Sequence, residues 1–214
     1  MKIGVVAATK TDTLFGCRFF SNKGHKALGA SISASPQDQT LLQVLSKDQL
    51  TKQVSDKLLY LTQKGVDAIV IYCNSLSGSI DLTYLRAQHK LAIITPLEIY
   101  AQLAKKHQIF GLLAANCQSL ANIESIILKH NKKAQVIGLG ILKLVDAVEN
   151  KKAPEDIVNQ FCLKEMCQVM EKCGAEILIL GCTHFPYFAQ ALKNQTPLAL
   201  FDPAEDILTM LEEI

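Results

Sequence analysis

Short aliphatic runs alternate along the chain with longer stretches in which apolar residues recur every three or four positions. The short runs predict strands at residues 3–8, 68–72, 92–95, 110–115, 135–139, 177–180 and 198–201, with a weaker one near 30–34. The longer stretches predict helices at 41–64, 97–106, 119–129, 142–150, 155–172, 188–193 and 204–213, the first with a potential break at 48–51. In the stretch 155–172 the apolar side would be Ile157, Val158, Phe161, Cys162, Met166, Val169 and Met170. Continuous aliphatic strands separated by helices imply an α/β fold built on parallel sheets.

The pattern also repeats. Gly65-Val66-Asp67-Ala68-Ile69-Val70-Ile71-Tyr72-Cys73-Asn74-Ser75 matches Gly174-Ala175-Glu176-Ile177-Leu178-Ile179-Leu180-Gly181-Cys182-Thr183-His184. Each copy has glycine, an apolar residue, an acid, an apolar run, cysteine, then two polar residues. The run Gly4–Thr9 is echoed by Gly111–Asn116, and Pro96 by Pro203. The spacings agree: 107 for Gly4/Gly111, 109 for Cys73/Cys182 and 107 for Pro96/Pro203. The expected architecture is two similar parallel-sheet α/β domains related by pseudo-twofold symmetry with a cleft between them.

Composition narrows the class of function. Of 214 residues 49% are hydrophobic and 20% charged, enough apolar surface for a substantial core. A formal net charge of +2, with scattered lysines, argues against a nucleic-acid or membrane partner. No apolar run approaches the roughly 20 residues of a membrane span, and the chain opens directly on a strand rather than a signal peptide. A cytoplasmic location is expected. The seven cysteines form no Cys-x-x-Cys pair and are expected as free thiols. Cys17, Cys162, Cys167 and Cys173 read as small buried hydrophobes.

Cys73 and Cys182 differ from those four. Each stands at the carboxyl end of a predicted strand, where ligands bind in open α/β sheets and where backbone N–H groups favour an anion. Two thiols facing one chiral carbon can invert it: one removes the α-proton and the other returns a proton to the opposite face. Neutral donors must then hold the substrate carboxylate as charge develops, and Asn74, Ser75 and Thr183 are suited to this. A metal site is not expected, because Cys182 and His184 have no second Cys/His pair at ligand spacing. Gly138-x-Gly140 lacks the third glycine of a dinucleotide loop. His25, His89, His107 and His130 read as surface residues, and Lys10 and Asp12 as a solvated loop.

Gly181-Cys182-Thr183-His184-Phe185-Pro186 and Cys73-Asn74-Ser75 resemble the two signature loops of the cofactor-independent aspartate/glutamate racemase family, closest to glutamate racemases. Pro96, Leu144–Glu149 and Asp202-Pro203-Ala204-Glu205 extend the resemblance over nearly the whole chain. The resemblance implies an acidic amino acid as substrate, glutamate slightly ahead of aspartate, no cofactor, and a homodimer as the family often forms. It implies Cys73 and Cys182 as the two acid/bases, His184 assisting Cys182, and Glu149 orienting His184. Asn74, Ser75 and Thr183 would hold the substrate, with Thr9 and Asn116 as further contacts. The family's last helix returns to the first domain, so the implied division is 1–96 plus 204–214, carrying Cys73, and 97–203, carrying Cys182.

Two departures stand out. Glutamate racemases carry an Asp-Ser pair after the first strand, where this chain has Ala7-Ala8; Thr9 or Asp12 could replace it. The family's Pro-Tyr-Gly loop has Pro36-Gln37-Asp38 as its counterpart. Two alternatives follow: a degenerate relative that binds a small carboxylate without catalysis, or a cysteine-dependent hydrolase or lyase on the same scaffold.

Overall fold

The computed structural model describes residues 1–33 and 45–214. They divide into two units, 1–96 with 204–214, and 97–203. The first unit contains β1 (Lys2–Ala7), α1 (Lys10–Asn22), β2 (Lys26–Ser31), α2 (Lys47–Gln63), β3 (Ala68–Ile71), α3 (Asn74–Ser79), α4 (Leu82–Gln88) and β4 (Ile93–Ile94). α5 (Pro96–Leu103) leads into the second unit. There follow β5 (Ile109–Ala114), α6 (Cys117–His130), β6 (Gln135–Gly140), α7 (Leu142–Glu149), α8 (Pro154–Gln160) and α9 (Leu163–Lys172). β7 (Ile177–Gly181), α10 (Pro186–Lys193) and β8 (Ala199–Phe201) complete it, and α11 (Ala204–Glu212) belongs to the first unit.

Each unit holds a four-stranded, all-parallel sheet. The strand orders are β2-β1-β3-β4 and β6-β5-β7-β8. These are one topology used twice, and the predicted α/β class holds. The central strands β1, β3, β5 and β7 are almost wholly buried, as their unbroken aliphatic runs require. Among the described residues no helix is long and apolar enough to cross a membrane.

The repeated sequence signature has a structural cause at each position. Gly65 and Gly174 adopt φ of +72° and +89° just beyond the helices that precede β3 and β7, the left-handed geometry glycine adopts without strain. The acids two residues on pin the start of the neighbouring strand. Asp67 Oδ2 accepts the Lys2 N–H at 2.7 Å, and Glu176 Oε1 accepts those of Gln108 and Ile109 at 3.0 and 3.1 Å. The glycine pair in β6 is also explained by packing. A Cβ on Gly138 would lie 2.5 Å from Leu120, and one on Gly140 2.5 Å from the Asn116 carbonyl carbon. Both glycines admit α6 against the strand. Gly29 does the same for Thr13 of α1.

Several expectations need correction. Residues 10–22, which carry no strong apolar stripe, form α1, so Lys10 and Asp12 are not a loop; Asp12 is buried. The predicted helix 155–172 is two helices, broken where Cys162 takes φ of +51°. The break re-phases the apolar side: Leu163, Cys167 and Met170 are buried, while Val169 is 58% exposed. Cys162 and Cys173 are exposed and Cys17 is half-buried; of the four cysteines read as core residues Cys167 alone is fully so.

α2 starts at Lys47 behind a Ser46/Gln49 capping box and continues through 48–51 without a break. Residues 41–44 and Pro36-Gln37-Asp38 lie outside the described residues. The polar run 74–79, without a helical stripe, still makes a helix. Ser77 and Ser79 return their hydroxyls to the Cys73 and Ser75 carbonyls at 2.7 and 2.8 Å.

Candidate active site

In the second unit, β7 ends at Gly181, whose missing Cβ leaves room for Ile123 and Leu112. The chain then turns tightly, the Phe185 N–H bonding the Cys182 carbonyl at 3.0 Å. Pro186 opens α10 at a position where its lost N–H costs no helical bond. Phe185 and Phe188 are fully buried with ring centroids 5.2 Å apart and anchor the turn from below. Cys182, Thr183 and His184 are thereby held at the strand's carboxyl end, all three buried.

His184 is gripped at both ring nitrogens. Nε2 lies 2.9 Å from Glu149 Oε1, and Nδ1 lies 3.6 Å from Cys182 Sγ. Glu149 is the last residue of α7, and its side chain is 16% exposed against 1% for His184. A carboxylate that accepts the Nε2 proton leaves the Nδ1 lone pair toward the sulfur. The chain carboxylate–imidazole–thiol can therefore carry a proton to or from Cys182. Nearby, at the carboxyl end of β5, Asn116 caps α6: its Oδ1 accepts the Ser119 N–H at 2.8 Å. Asn116 Nδ2 and the Ser119 hydroxyl are buried and have no hydrogen-bond partner among the described residues. Ser119 did not stand out in the sequence; its three-residue spacing from a capping asparagine is the signal that could have found it.

The first unit presents its own cluster. Cys73 follows β3, 3% exposed, with Sγ 3.5 Å from the Ser75 hydroxyl. Asn74, also 3% exposed, opens α3. At the end of the adjacent strand β1, Thr9 caps α1 by accepting the Asp12 N–H at 3.1 Å. Thr9 and Asn116 thus occupy equivalent capping positions, 107 residues apart, each with its side-chain oxygen taken by a first-turn N–H. Within the first unit the structure brings Thr9, Cys73, Asn74 and Ser75 to the carboxyl ends of neighbouring strands. Within the second it does the same for Asn116, Glu149, Cys182, Thr183 and His184.

Residues 26–211 match the model of the Asp/Glu/Hydantoin racemase family. The chain belongs to this family. The chain is 30% identical over 165 residues to the glutamate racemase of Latilactobacillus sakei, covering 72% of this chain and 58% of that protein. Against the glutamate racemase of Deinococcus radiodurans it is 31% identical over 144 residues, covering 63% and 48%. It thus spans about half to three-fifths of those relatives' length. Two solved structures share the family fold. The glutamate racemase of Francisella tularensis in complex with D-glutamate superposes with a TM-score of 0.76 at 18% identity, covering 99% of this chain and 80% of that one. The allantoin racemase of Klebsiella pneumoniae gives 0.71 at 17% identity, covering 100% and 86%.

Proposed function

We propose that the protein is a cofactor-independent amino-acid racemase acting on an acidic amino acid, glutamate ahead of aspartate. The observation that carries this reading is the Glu149–His184–Cys182 chain at the end of β7, in a fold whose other half repeats the strand-end cysteine at Cys73. Membership of the racemase family and the two glutamate racemase relatives support the choice of reaction.

In the proposed cycle one thiolate takes the proton from the substrate α-carbon. The C–H bond breaks, its electron pair passes into the carboxylate as an enediolate, and the sulfur becomes a thiol. The second thiol then delivers its proton to the opposite face of the same carbon and is left as thiolate. No group is oxidised or reduced, and the two sulfurs exchange roles with each turnover. His184 relays protons for Cys182, and Glu149 holds its tautomer. Asn74, Ser75, Thr183 and Asn116 Nδ2 supply neutral donors to the carboxylates, where developing negative charge needs fixed dipoles. Thr9 and Ser119 belong with them.

Incubation with single enantiomers of a panel of amino acids in D₂O tests the reading. Deuterium entry at the α-carbon with inversion, for glutamate or aspartate, is the expected result. Saturable binding without exchange would make the protein a carboxylate-binding relative, and a trapped thioester on Cys182 would make it a hydrolase or lyase; either overturns the proposal.

A further inference from the structure

Lysines that stand far apart in the sequence meet at one end of the second unit. Residues 97–203 hold eleven lysines, ten acids and no arginine. Seven of the lysines, all exposed, sit in or next to the loops that enter the four strands of the sheet. Lys132 and Lys133 precede β6, Lys105 and Lys106 precede β5, Lys172 precedes β7 and Lys193 precedes β8. Lys129 lies in the last turn of α6. The register sets Ile109 beside Gln135, Phe110 beside Ile177 and Ile177 beside Ala199, so the strands begin on one level. The acids in these segments are Glu171 and Glu176, and Glu176 is held by His107 and two backbone N–H groups. The other four lysines share the rest of the unit with eight acids.

A helix C-terminus favours a cation, which accounts for Lys129, Lys172 and Lys193 in the last turns of α6, α9 and α10. Lys105, Lys106, Lys132 and Lys133 lie past the helix ends. The first unit shows what the same frame does with cations in the equivalent turn, 107 residues earlier. There α11 brings acids: Lys23 Nζ lies 2.7 Å from Glu205 Oε1, and His25 Nε2 lies 3.6 Å from Glu212 Oε1. In the second unit none of the seven lysines has a carboxylate partner among the described residues. The loops that carry them are nevertheless tied together. Asn131 Nδ2 donates to the Ala104 and His107 carbonyls at 3.0 and 2.9 Å, and the Gln135 N–H to the Gln108 carbonyl at 2.8 Å. Like charges are thus held side by side on a fixed frame, where their repulsion opposes the fold until an anion meets them.

We infer that this lysine face docks the protein on an anionic lipid surface. Lysines on one level, drawn from the sheet edge and from the ends of the helices beside it, suit a plane of phosphate headgroups. Each lysine brought to such a surface adds to the attraction without needing a shaped pocket. Nucleic acid fits the face less well. It has no arginine fork for bidentate phosphate or base contacts, and residues 104–108, 131–134, 173–176 and 194–198 include no Phe, Tyr or Trp on which a base could stack. Asn116 and Cys182 follow the opposite ends of β5 and β7, about 20 Å away at the rise of a strand. A docked molecule therefore keeps its candidate active site turned from the lipid.

Co-sedimentation with vesicles tests this. The wild type should bind phosphatidylcholine vesicles that contain about 30% phosphatidylglycerol at low salt, and not pure phosphatidylcholine. About 1 M salt, which cuts the screening length to about 3 Å, should release it. Lys105→Gln with Lys106→Gln, and Lys132→Gln with Lys133→Gln, should each weaken binding roughly 10- to 30-fold. Lys52→Gln with Lys57→Gln removes the same charge from α2 of the first unit and should leave binding almost unchanged. Failure of the wild type to bind the anionic vesicles overturns the inference, as does an equal loss in the α2 variant. Tighter retention by duplex DNA than by the vesicles at the same salt also overturns it and makes nucleic acid the partner.

Discussion

His184 is held between a carboxylate and a sulfur, and the two contacts do different work. The 2.9 Å bond to Glu149 fixes the ring; the 3.6 Å approach to Cys182 is where a proton would pass. Replacing Glu149 by Gln keeps the shape and removes the acceptor that sets the tautomer. In the proposed mechanism kcat/KM should fall roughly 100-fold, the scale of a positioned acid/base. It must fall equally in both directions, because two enantiomers of one amino acid have the same free energy. Steady-state rates from the L- and D-forms check this. The cysteines and the histidine were legible in the sequence because they sit in short motifs at strand ends; Glu149, at the end of α7, was expected only from the family resemblance. Ser119 was not legible, since a buried polar residue leaves no mark on periodicity; Asp12 stood out only as a replacement for the family's Asp-Ser pair and was expected in a loop, because Lys10–Asn22 lacks a strong apolar stripe. Their spacing from Thr9 and Asn116 is the one sign they give.

Elements position these residues through a few close approaches. Gly140 is one: a methyl group there would meet the Asn116–Cys117 peptide at 2.5–2.6 Å, and backbone cannot swing aside as a side chain would. Gly140→Ala should destabilise the protein by about 1–3 kcal/mol, the usual cost of overpacking, as a lower urea midpoint at unchanged slope. Glu176 is another, tying the start of β5 to β7. The Gln108 N–H, then His107 at 2.9 Å, hold its carboxyl below the ordinary 4.5. A carboxylate with a depressed folded value stabilises the fold above its unfolded value and loses that contribution as pH falls through the folded one. Glu176→Gln should therefore lower the urea midpoint at pH 7, with the deficit closing as pH drops below 4.5. The strands of this framework were legible because each is a continuous aliphatic run. The break in 155–172 was not, because the apolar stripe is re-phased by a single left-handed residue, Cys162.

At the scale of the whole molecule the governing fact is duplication: one four-strand topology, used twice, with a buried cysteine after the third strand of each copy. The copies share their turns, strand-pinning acids and helix caps, and differ at the residues with chemistry: Ser75 against His184, Asp12 against Ser119. A doubled frame with unlike fittings suits a reaction that treats the two faces of one carbon alike while binding its substituents differently. Single-cysteine variants test that claim most directly. Cys73→Ser and Cys182→Ser should each abolish inversion yet keep deuterium exchange with retention for one enantiomer of glutamate, the opposite one in each variant. Exchange of both enantiomers by either variant, or full inversion surviving the loss of either sulfur, would contradict it.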